Sequence, residues 1–179
     1  TKMEYRRGDV RDASTLADAF AGADVVVHLA FHITGNARPE EIRAINVDGT
    51  RNAFRAASAA GARRFVHASS VAAYGFSRDN PVGMTEEWPV RTSSRLFYAR
   101  EKAEVEGLLV TEAVAAPDVA LYLLRPPLVL GPHSLGAKDL LPGPLAPLAR
   151  RFAGAAIRRL PGPVPVAVPA VPVQFGHED

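Results

Sequence analysis

The chain has 179 residues, no cysteine, a net charge of +2 at pH 7, and 47% hydrophobic against 22% charged residues. This length and hydrophobic content predict one globular domain with a substantial core. The small net charge gives no indication of a nucleic-acid or anionic-membrane partner. The lack of cysteine excludes disulfides and thiol chemistry and fits a cytoplasmic location. No spanning helix is predicted, because prolines interrupt the most apolar run, Val164 to Val173.

Predicted strands and helices alternate along the chain. Residues 3–10 predict a short strand, and the helix after it, over 15–21, can be capped by Asp12 or Ser14. The continuous apolar run over 24–30 is typical of a parallel strand that is buried on both faces. Alternating strands and helices predict an α/β fold with a parallel sheet and right-handed crossovers. The elements that follow are a helix over 40–60, a strand over 63–70, a polar loop over 76–92, a helix over about 94–116 and a strand over 119–125.

The sequence changes character after Pro126. Residues 126–172 carry many prolines around one predicted helix over 145–159, and a last strand is predicted near Val171. Proline cannot donate to a sheet ladder, so residues 132–172 are expected to wrap over one edge of the fold as part of a lid. We expect the chain to be a central piece of a longer protein, since it starts without Met and stops within what resembles a motif.

Two side chains on the 94–116 helix indicate acid–base chemistry. Tyr98 and Lys102 are four residues apart, so they share one helix face. A lysine ammonium about 4 Å from a phenolate stabilises it by roughly 4 kcal/mol at an effective dielectric of 20. That is enough to make the phenol a useful proton acceptor near neutral pH. Taken alone, however, this spacing favours an ordinary solvated helix face, because Tyr-x-x-x-Lys often arises by chance on amphipathic helices.

The upstream strand favours the catalytic interpretation. The strand over 63–70 ends in Ser69 and Ser70, and together with Tyr98 and Lys102 it resembles the extended short-chain dehydrogenase/reductase family, the NAD-dependent epimerases and dehydratases. The resemblance implies a Rossmann-like doubly wound parallel sheet that binds NAD or NADP. It also implies that the first strand–helix–strand unit and most of the C-terminal substrate lobe are missing, because the Gly-rich diphosphate loop is not in the sequence.

The same resemblance implies two regions and a set of residue roles. Residues 1–131 form a partial dinucleotide-binding domain, and 132–179 form the start of a substrate-binding or lid region. Ser70 would hydrogen-bond the reacting oxygen, Tyr98 would transfer the proton, and Lys102 would adjust the pKa of Tyr98. The residues implied to bind the cofactor are Asp9, Val10, Leu29, Ala30, Asn46, Ser69, Tyr98, Lys102 and Pro126.

Three positions need separate comment. Between the two acids of the first loop, Asp9 is expected to bind adenine and Asp12 to cap the helix. Asn46 is expected to brace the active-site end of a strand. Phe31 departs from the family pattern, which often has another Ala or Gly after the residues that match Leu29 and Ala30.

The implied activity is NAD(P)-dependent oxidoreductase, epimerase or dehydratase chemistry. It would act by hydride transfer on a nucleotide sugar or another small hydroxyl or carbonyl compound, and the chain by itself is expected to be inactive. A homodimer is compatible with the resemblance. The alternative is a non-catalytic dinucleotide-binding regulatory or interaction protein on the same fold, against which the presence of Ser70, Tyr98 and Lys102 argues. No metal site is predicted, because His28 and His32 lie at a strand end and in a loop rather than on a helix.

Overall fold

A three-stranded parallel sheet forms the centre of the described chain. The structure is a computed structural model that describes residues 3–33, 37–92, 96–130 and 175–177. The sheet has the order β1-β2-β3, and its registers align Val26 with Phe65 and Phe65 with Leu121. The predicted α/β class with a parallel sheet is therefore confirmed. The strands are β1 (Val25–His28), β2 (Arg64–Ala68) and β3 (Ala120–Leu124).

The helices lie close to their predicted positions. Asp12 caps α1, because its carboxylate accepts a hydrogen bond from the backbone N–H of Ser14 at 3.0 Å. The long helix predicted over 40–60 is instead three consecutive segments, of which the middle one, Ala44–Asp48, is a π-helical turn. π-Helical turns are rare overall, but those that occur often lie at functional sites. The helices are α1 (Ala13–Phe20), α2 (Pro39–Arg43), α3 (Gly49–Ala59) and α4 (Phe97–Ala115).

The core lies between one face of the sheet and the helices α3 and α4. Alternate strand residues point into it, so Val26 and Phe65 are at most 5% exposed. Phe54 of α3 meets Phe65 edge-on, with 5.2 Å between the ring centroids. Val105 and Leu109 of α4 are fully buried in the same cluster. Each such side chain contributes roughly 1.5–3 kcal/mol when it leaves water, so this cluster fixes α4 on the sheet.

The opposite face of the sheet is exposed, which corrects the prediction that β1 is buried on both faces. The run over 24–30 is apolar throughout, which predicted a strand buried on both faces, yet Val25, Val27 and Leu29 are 41%, 56% and 70% exposed. Tyr122 and Leu124 of β3 are also exposed. In the part of the chain that the structure describes, the helices cover only the Val26 face, so the other face meets solvent.

The prediction of a strand over 3–10 is also wrong. Residues 3–9 have no regular secondary structure, and Met3 and Tyr5 are exposed. A strand needs a neighbour for its backbone hydrogen bonds, and in the described residues β1 pairs only with β2. The segment ends in a turn in which the N–H of Asp12 donates to the carbonyl of Asp9 at 2.9 Å.

The chain divides into two units, Thr1–Pro126 and Pro127–Asp179. In the second unit β4 (Leu128–Leu130) pairs in parallel with β5 (Phe175–His177). The helix predicted over 145–159 and the strand start predicted near Val171 lie outside the described residues. Within the described residues, no helix combines the length and apolarity needed to cross a bilayer.

Candidate active site

Lys102 is a buried cation at the end of β2. It is only 3% exposed, and its Nζ donates to the carbonyl of Ala68 at 2.7 Å. Burial lowers the pKa of Lys102 to about 8, while the nearby carboxylate of Glu106 opposes that change. Ala68 is two residues before Ser70, so the strand end that carries the predicted catalytic hydroxyl also holds the ammonium.

Phe31 lies against both members of the predicted Tyr98–Lys102 pair. The Nζ of Lys102 is 3.7 Å from the centroid of the Phe31 ring and 5.8 Å from that of Tyr98. The Phe31 and Tyr98 rings meet edge-on at 5.6 Å between centroids. Tyr98 and Lys102 therefore do share a helix face as predicted, but the aromatic ring nearest to the ammonium belongs to the loop after β1.

Asn46 fixes the backbone of that loop from the π-helical turn. Its side-chain Oδ1 accepts from the N–H of His32 at 2.6 Å, and its Nδ2 donates to the carbonyl of the same residue at 2.9 Å. The Nδ2 also donates to Oε2 of Glu101, a 5% exposed residue of α4, at 2.7 Å. Asn46 is thus fully buried and bridges α4 to the loop that carries Phe31. The bracing role expected of Asn46 stays a prediction.

The two serines at the end of β2 face different partners. Ser70 begins the 3₁₀ turn Val71–Tyr74, and its Oγ accepts from the N–H of Ala72 at 3.1 Å. A hydroxyl that accepts one bond can still donate one. Ser69 is 4% exposed, and its Oγ donates to Oε1 of Glu106 in a very short hydrogen bond. In these contacts Ser69 uses its hydroxyl hydrogen for Glu106, whereas Ser70 keeps its own for a ligand.

A buried ion pair that the sequence analysis missed supports this strand end. Glu106 of α4 receives hydrogen bonds from Nε and Nη2 of Arg125, the latter at 2.6 Å, and the two side chains are 2% and 14% exposed. Nη1 of Arg125 also donates to the hydroxyl of Tyr74 at 2.9 Å. The four-residue spacing of Lys102 and Glu106 was a signal for a shared face, but only the fold brings Arg125 to that face.

Two histidines lie beneath the site in the sheet. His28 and His67 are register partners in β1 and β2, and their rings stack at 5.6 Å. Burial, with a further contribution from Lys102, lowers the pKa of His28 to about 4 and that of His67 to about 3. Nε2 of His28 bonds Oγ1 of Thr50 at 2.9 Å, whereas neither ring nitrogen of His67 has a hydrogen-bond partner among the described residues.

The other residues predicted to bind the cofactor include Asp9 and Val10 before α1 and Leu29 after β1. Asp9 forms an ion pair with Arg11, whose hydrogen bonds lower the pKa of the Asp9 carboxyl to about 2. The carbonyl of Val10 accepts from Asn52 at 3.2 Å. Leu29 is exposed at the end of β1.

The ends of β2 and β3 are joined next to Ser70. The N–H of Ser69 donates to the carbonyl of Leu124 at 2.7 Å, and that of Val71 to the carbonyl of Pro126 at 3.2 Å. The site thus presents a fixed ammonium, a half-buried phenol and a serine hydroxyl near one sheet edge, which is a set of groups suited to moving a proton to or from a hydroxyl. The individual roles stay predictions.

The chain matches known proteins at the level of sequence. The sequence model of the NAD dependent epimerase/dehydratase family matches residues 1–161. The chain is 35% identical over 133 residues to Sterol demethylase protein B of Methylococcus capsulatus, which covers 73% of this chain and 39% of that protein. It is 34% identical over 131 residues to the N-acetyl-alpha-D-glucosaminyl-diphospho-ditrans,octacis-undecaprenol 4-epimerase of Escherichia coli O157:H7, covering 72% and 38%. The chain thus spans about two fifths of the length of these curated relatives.

A solved structure is similar in fold. A short-chain dehydrogenase/reductase superfamily protein from Agrobacterium tumefaciens, with bound NAD, matches with a TM-score of 0.64 and 32% identity. The match covers 84% of this chain and 47% of that one. This similarity confirms the Rossmann-like character predicted for the sheet.

Proposed function

This chain belongs to the NAD dependent epimerase/dehydratase family, and on that premise we propose that it carries the acid–base residues of an enzyme that transfers hydride between a substrate carbon and NAD or NADP. One observation supports the proposal most strongly, the burial of the Lys102 ammonium against the carbonyl of Ala68, one helical turn after Tyr98. Burial of a charge is costly, and perturbed titratable groups of this kind concentrate at functional sites.

Three side chains divide the proton chemistry in this proposal. Tyr98 removes the proton from the substrate hydroxyl, or returns it to the carbonyl oxygen in the reverse direction. Lys102 stabilises the phenolate that forms, because an ammonium in a dry site interacts strongly with nearby negative charge. Ser70 donates a hydrogen bond to the reacting oxygen, and the turn that it begins fixes its position.

The donor set fits a dinucleotide. The Asp9 carboxylate, whose pKa Arg11 lowers to about 2, is ionised at neutral pH and can accept from the exocyclic amine of adenine. The backbone amide of Val10 can serve the adenine ring, and the exposed Leu29 and Ala30 leave the end of β1 open to a ligand. When bound, the nicotinamide supplies the hydride donor or acceptor.

We propose a nucleotide sugar or another small hydroxyl or carbonyl compound as the substrate. One relative is named as a 4-epimerase of an N-acetylglucosaminyl diphospho compound and another as a sterol demethylase protein. Chains similar to this one are therefore named for different substrates. In this proposal residues 132–179 begin the substrate-binding or lid region.

Replacing the phenol tests the proposal. In the protein that contains this chain, Tyr98→Phe should lower kcat by about 10²- to 10⁴-fold, the usual contribution of general acid–base catalysis. Cofactor affinity should change little, because the hydroxyl acts on the reacting oxygen. Nicotinamide absorbance with UDP-sugar and hydroxysteroid substrates gives kcat, and fluorescence titration with NADH gives affinity. Tyr5→Phe, at a residue 87% exposed, is the matched control. Wild-type turnover in Tyr98→Phe would contradict the role given to Tyr98, whereas NADH binding without turnover in the unsubstituted protein would favour the non-catalytic alternative.

Replacing the ammonium should affect both binding and rate. Lys102→Met keeps the apolar stem but removes the charge, so turnover falls and cofactor affinity falls by about 1.5–3 kcal/mol, the range for a hydrogen bond to a charged group. Since burial lowers the pKa of Lys102 to about 8, wild-type kcat/KM should decline as pH rises through that value. The pH–rate profile of Lys102→Met should lack that decline, and an identical alkaline decline in both proteins would contradict the role given to Lys102.

A further inference from the structure

The ammonium of Lys102 is held from two sides. On one side its Nζ donates to the carbonyl of Ala68 at 2.7 Å. On the other, the face of the Phe31 ring lies over it at 3.7 Å from the centroid, much closer than the Tyr98 ring at 5.8 Å. A cation over an aromatic face is attracted by the ring quadrupole, and the attraction is largest where water is excluded. With the residue only 3% exposed, this is such a place.

The position of Phe31 is itself fixed by buried polar contacts. Asn46 holds the next residue, His32, by both its backbone N–H and its carbonyl, at 2.6 and 2.9 Å. Glu101 in turn accepts from the Asn46 amide at 2.7 Å. Because Glu101 lies on α4, in the turn between Tyr98 and Lys102, the helix that carries the ammonium also fixes the loop that covers it.

We propose that Phe31 is a positioning residue for Lys102: its ring holds the ammonium against the Ala68 carbonyl and shields it from water, and so sets the charge that acts beside Tyr98. The importance of that charge for turnover rests on the proposed function, whereas the contact of ring and ammonium does not.

Phe31 has two opposite effects on the ionisation of Lys102. Exclusion of water favours the neutral amine, and the ring quadrupole favours the ammonium. The other groups that face the ammonium are His28 of β1, His67 of β2, and Glu106 and Tyr98 of α4. Both histidines are neutral above about pH 4, so near neutral pH they do not titrate together with Lys102.

Substitutions of different shape separate these two effects. Phe31→Leu keeps the apolar cover and removes the quadrupole, so the pKa of Lys102 should fall by about 0.5–1.5 units, the equivalent of a partly to fully desolvated cation–π contact. Phe31→Ala admits water, and since burial is the main cause of the lowered value, the pKa should rise towards 10.5. Phe31→Tyr keeps both effects and should titrate like the wild type.

The titration can be measured directly by NMR on the chain labelled with isotopes in its lysines. Lys2 and Lys138 are the only other lysines in the sequence, and the signal that disappears in Lys102→Met identifies Lys102. Circular dichroism verifies that each variant is folded, and if Phe31→Ala is not, the comparison of Phe31→Leu with Phe31→Tyr is sufficient. The proposal is supported if the Lys102 pKa falls in Phe31→Leu and rises in Phe31→Ala. It is also supported if the pKa falls in Phe31→Leu and keeps its wild-type value in Phe31→Tyr. A Lys102 pKa that stays within about 0.2 unit of wild type in every folded variant overturns it.

The NMR result is independent of turnover, so it can be distinguished from failure of the proposed function. If the Lys102 signal shifts as expected and the alkaline limb of kcat/KM shifts with it, both inferences stand. If the signal shifts while the pH–rate profile does not, Phe31 still positions Lys102, and it is the catalytic use of Lys102 that is refuted.

Discussion

The buried Glu106–Arg125 pair allows a sharp test of how this site is supported. Glu106 is 2% exposed, and it accepts hydrogen bonds from Arg125 and from the hydroxyl of Ser69. Glu106→Gln keeps the size of the side chain but leaves the guanidinium buried without its counter-charge. Breaking a buried pair in this way costs about 3–5 kcal/mol. Since the total stability of a domain is about 5–15 kcal/mol, the loss should be large and easily measured.

A second glutamate on the same helix is the matched control. Glu104 pairs with Arg43, but the two side chains are 33% and 52% exposed. Exposed pairs contribute about 0–1 kcal/mol, so Glu104→Gln should unfold at nearly the wild-type urea concentration. The contrast between the two variants tests burial rather than charge, because the chemical change is identical.

Two spectroscopic signals distinguish local from global effects. Urea titrations followed by far-ultraviolet circular dichroism report the helices. Trp88, the single tryptophan, lies near the loop carbonyl of Glu86, which accepts from Nη1 of Arg125 at 2.9 Å. We expect the Trp88 transition to move with the helical one in Glu106→Gln. A loss of less than about 1 kcal/mol in Glu106→Gln, the value for an exposed pair, would refute the argument from burial.

A double-mutant cycle isolates the pair itself. Arg125→Gln alone leaves the Glu106 carboxylate buried without its guanidinium partner, whereas the double variant Glu106→Gln/Arg125→Gln removes both charges of the pair. The double variant should therefore be more stable than the sum of the two single losses predicts. Strict additivity would mean that the two side chains do not interact.

Two further predictions concern close packing and pH. A Cβ at Gly49 would lie 2.5 Å from Cγ2 of Val10, so Gly49→Ala should destabilise the protein by about 1–3 kcal/mol. At Gly107 on α4 the new Cβ would meet no atom within 4 Å beyond its own helix backbone and chain neighbours, so Gly107→Ala should be neutral or stabilise by up to about 1 kcal/mol. Equal unfolding midpoints in the two variants would contradict this contrast. Burial lowers the pKa of His28 from 6.5 to about 4 and that of His67 from 6.5 to about 3. Below pH 6.5 the unfolded chain takes up protons that the folded protein does not, so the free energy of unfolding falls on acidification by roughly 1.4 kcal/mol per histidine per pH unit. Above pH 6.5 both histidines are neutral in both states and this loss is absent. Urea midpoints between about pH 7 and pH 5 should fall less steeply in His67→Phe than in wild type, and parallel slopes would show that His67 does not titrate in this way.

Much of the fold follows from local features of the sequence. The bounds of β1, β2 and β3 were predicted to within one or two residues, because short runs rich in apolar residues between turn signals favour strands. Asp12 was identified as a helix cap for an equally local reason, since a carboxylate there can accept from a nearby backbone N–H. The spacing of Tyr98 and Lys102 likewise placed them on one face of α4.

The errors in the fold arose where a structure depends on a partner. Residues 3–10 have a strand-like sequence, but a strand forms only when another strand satisfies its backbone hydrogen bonds. The same reasoning explains the exposed face of β1. Val25 and Val27 are as apolar as a strand buried on both faces requires, yet what covers a face is decided by the elements that pack there and not by the strand itself.

The sequence by itself determined the α/β order of elements and the identity of the candidate groups Ser70, Tyr98 and Lys102. Only the tertiary structure decided their surroundings. It brought Phe31 onto the ammonium, and it brought Arg125 to Glu106 across 19 residues of chain. The physical reason is that spacing along a helix fixes neighbours within a few residues, whereas contacts between a loop, a strand end and a helix depend on how α4 packs against the sheet.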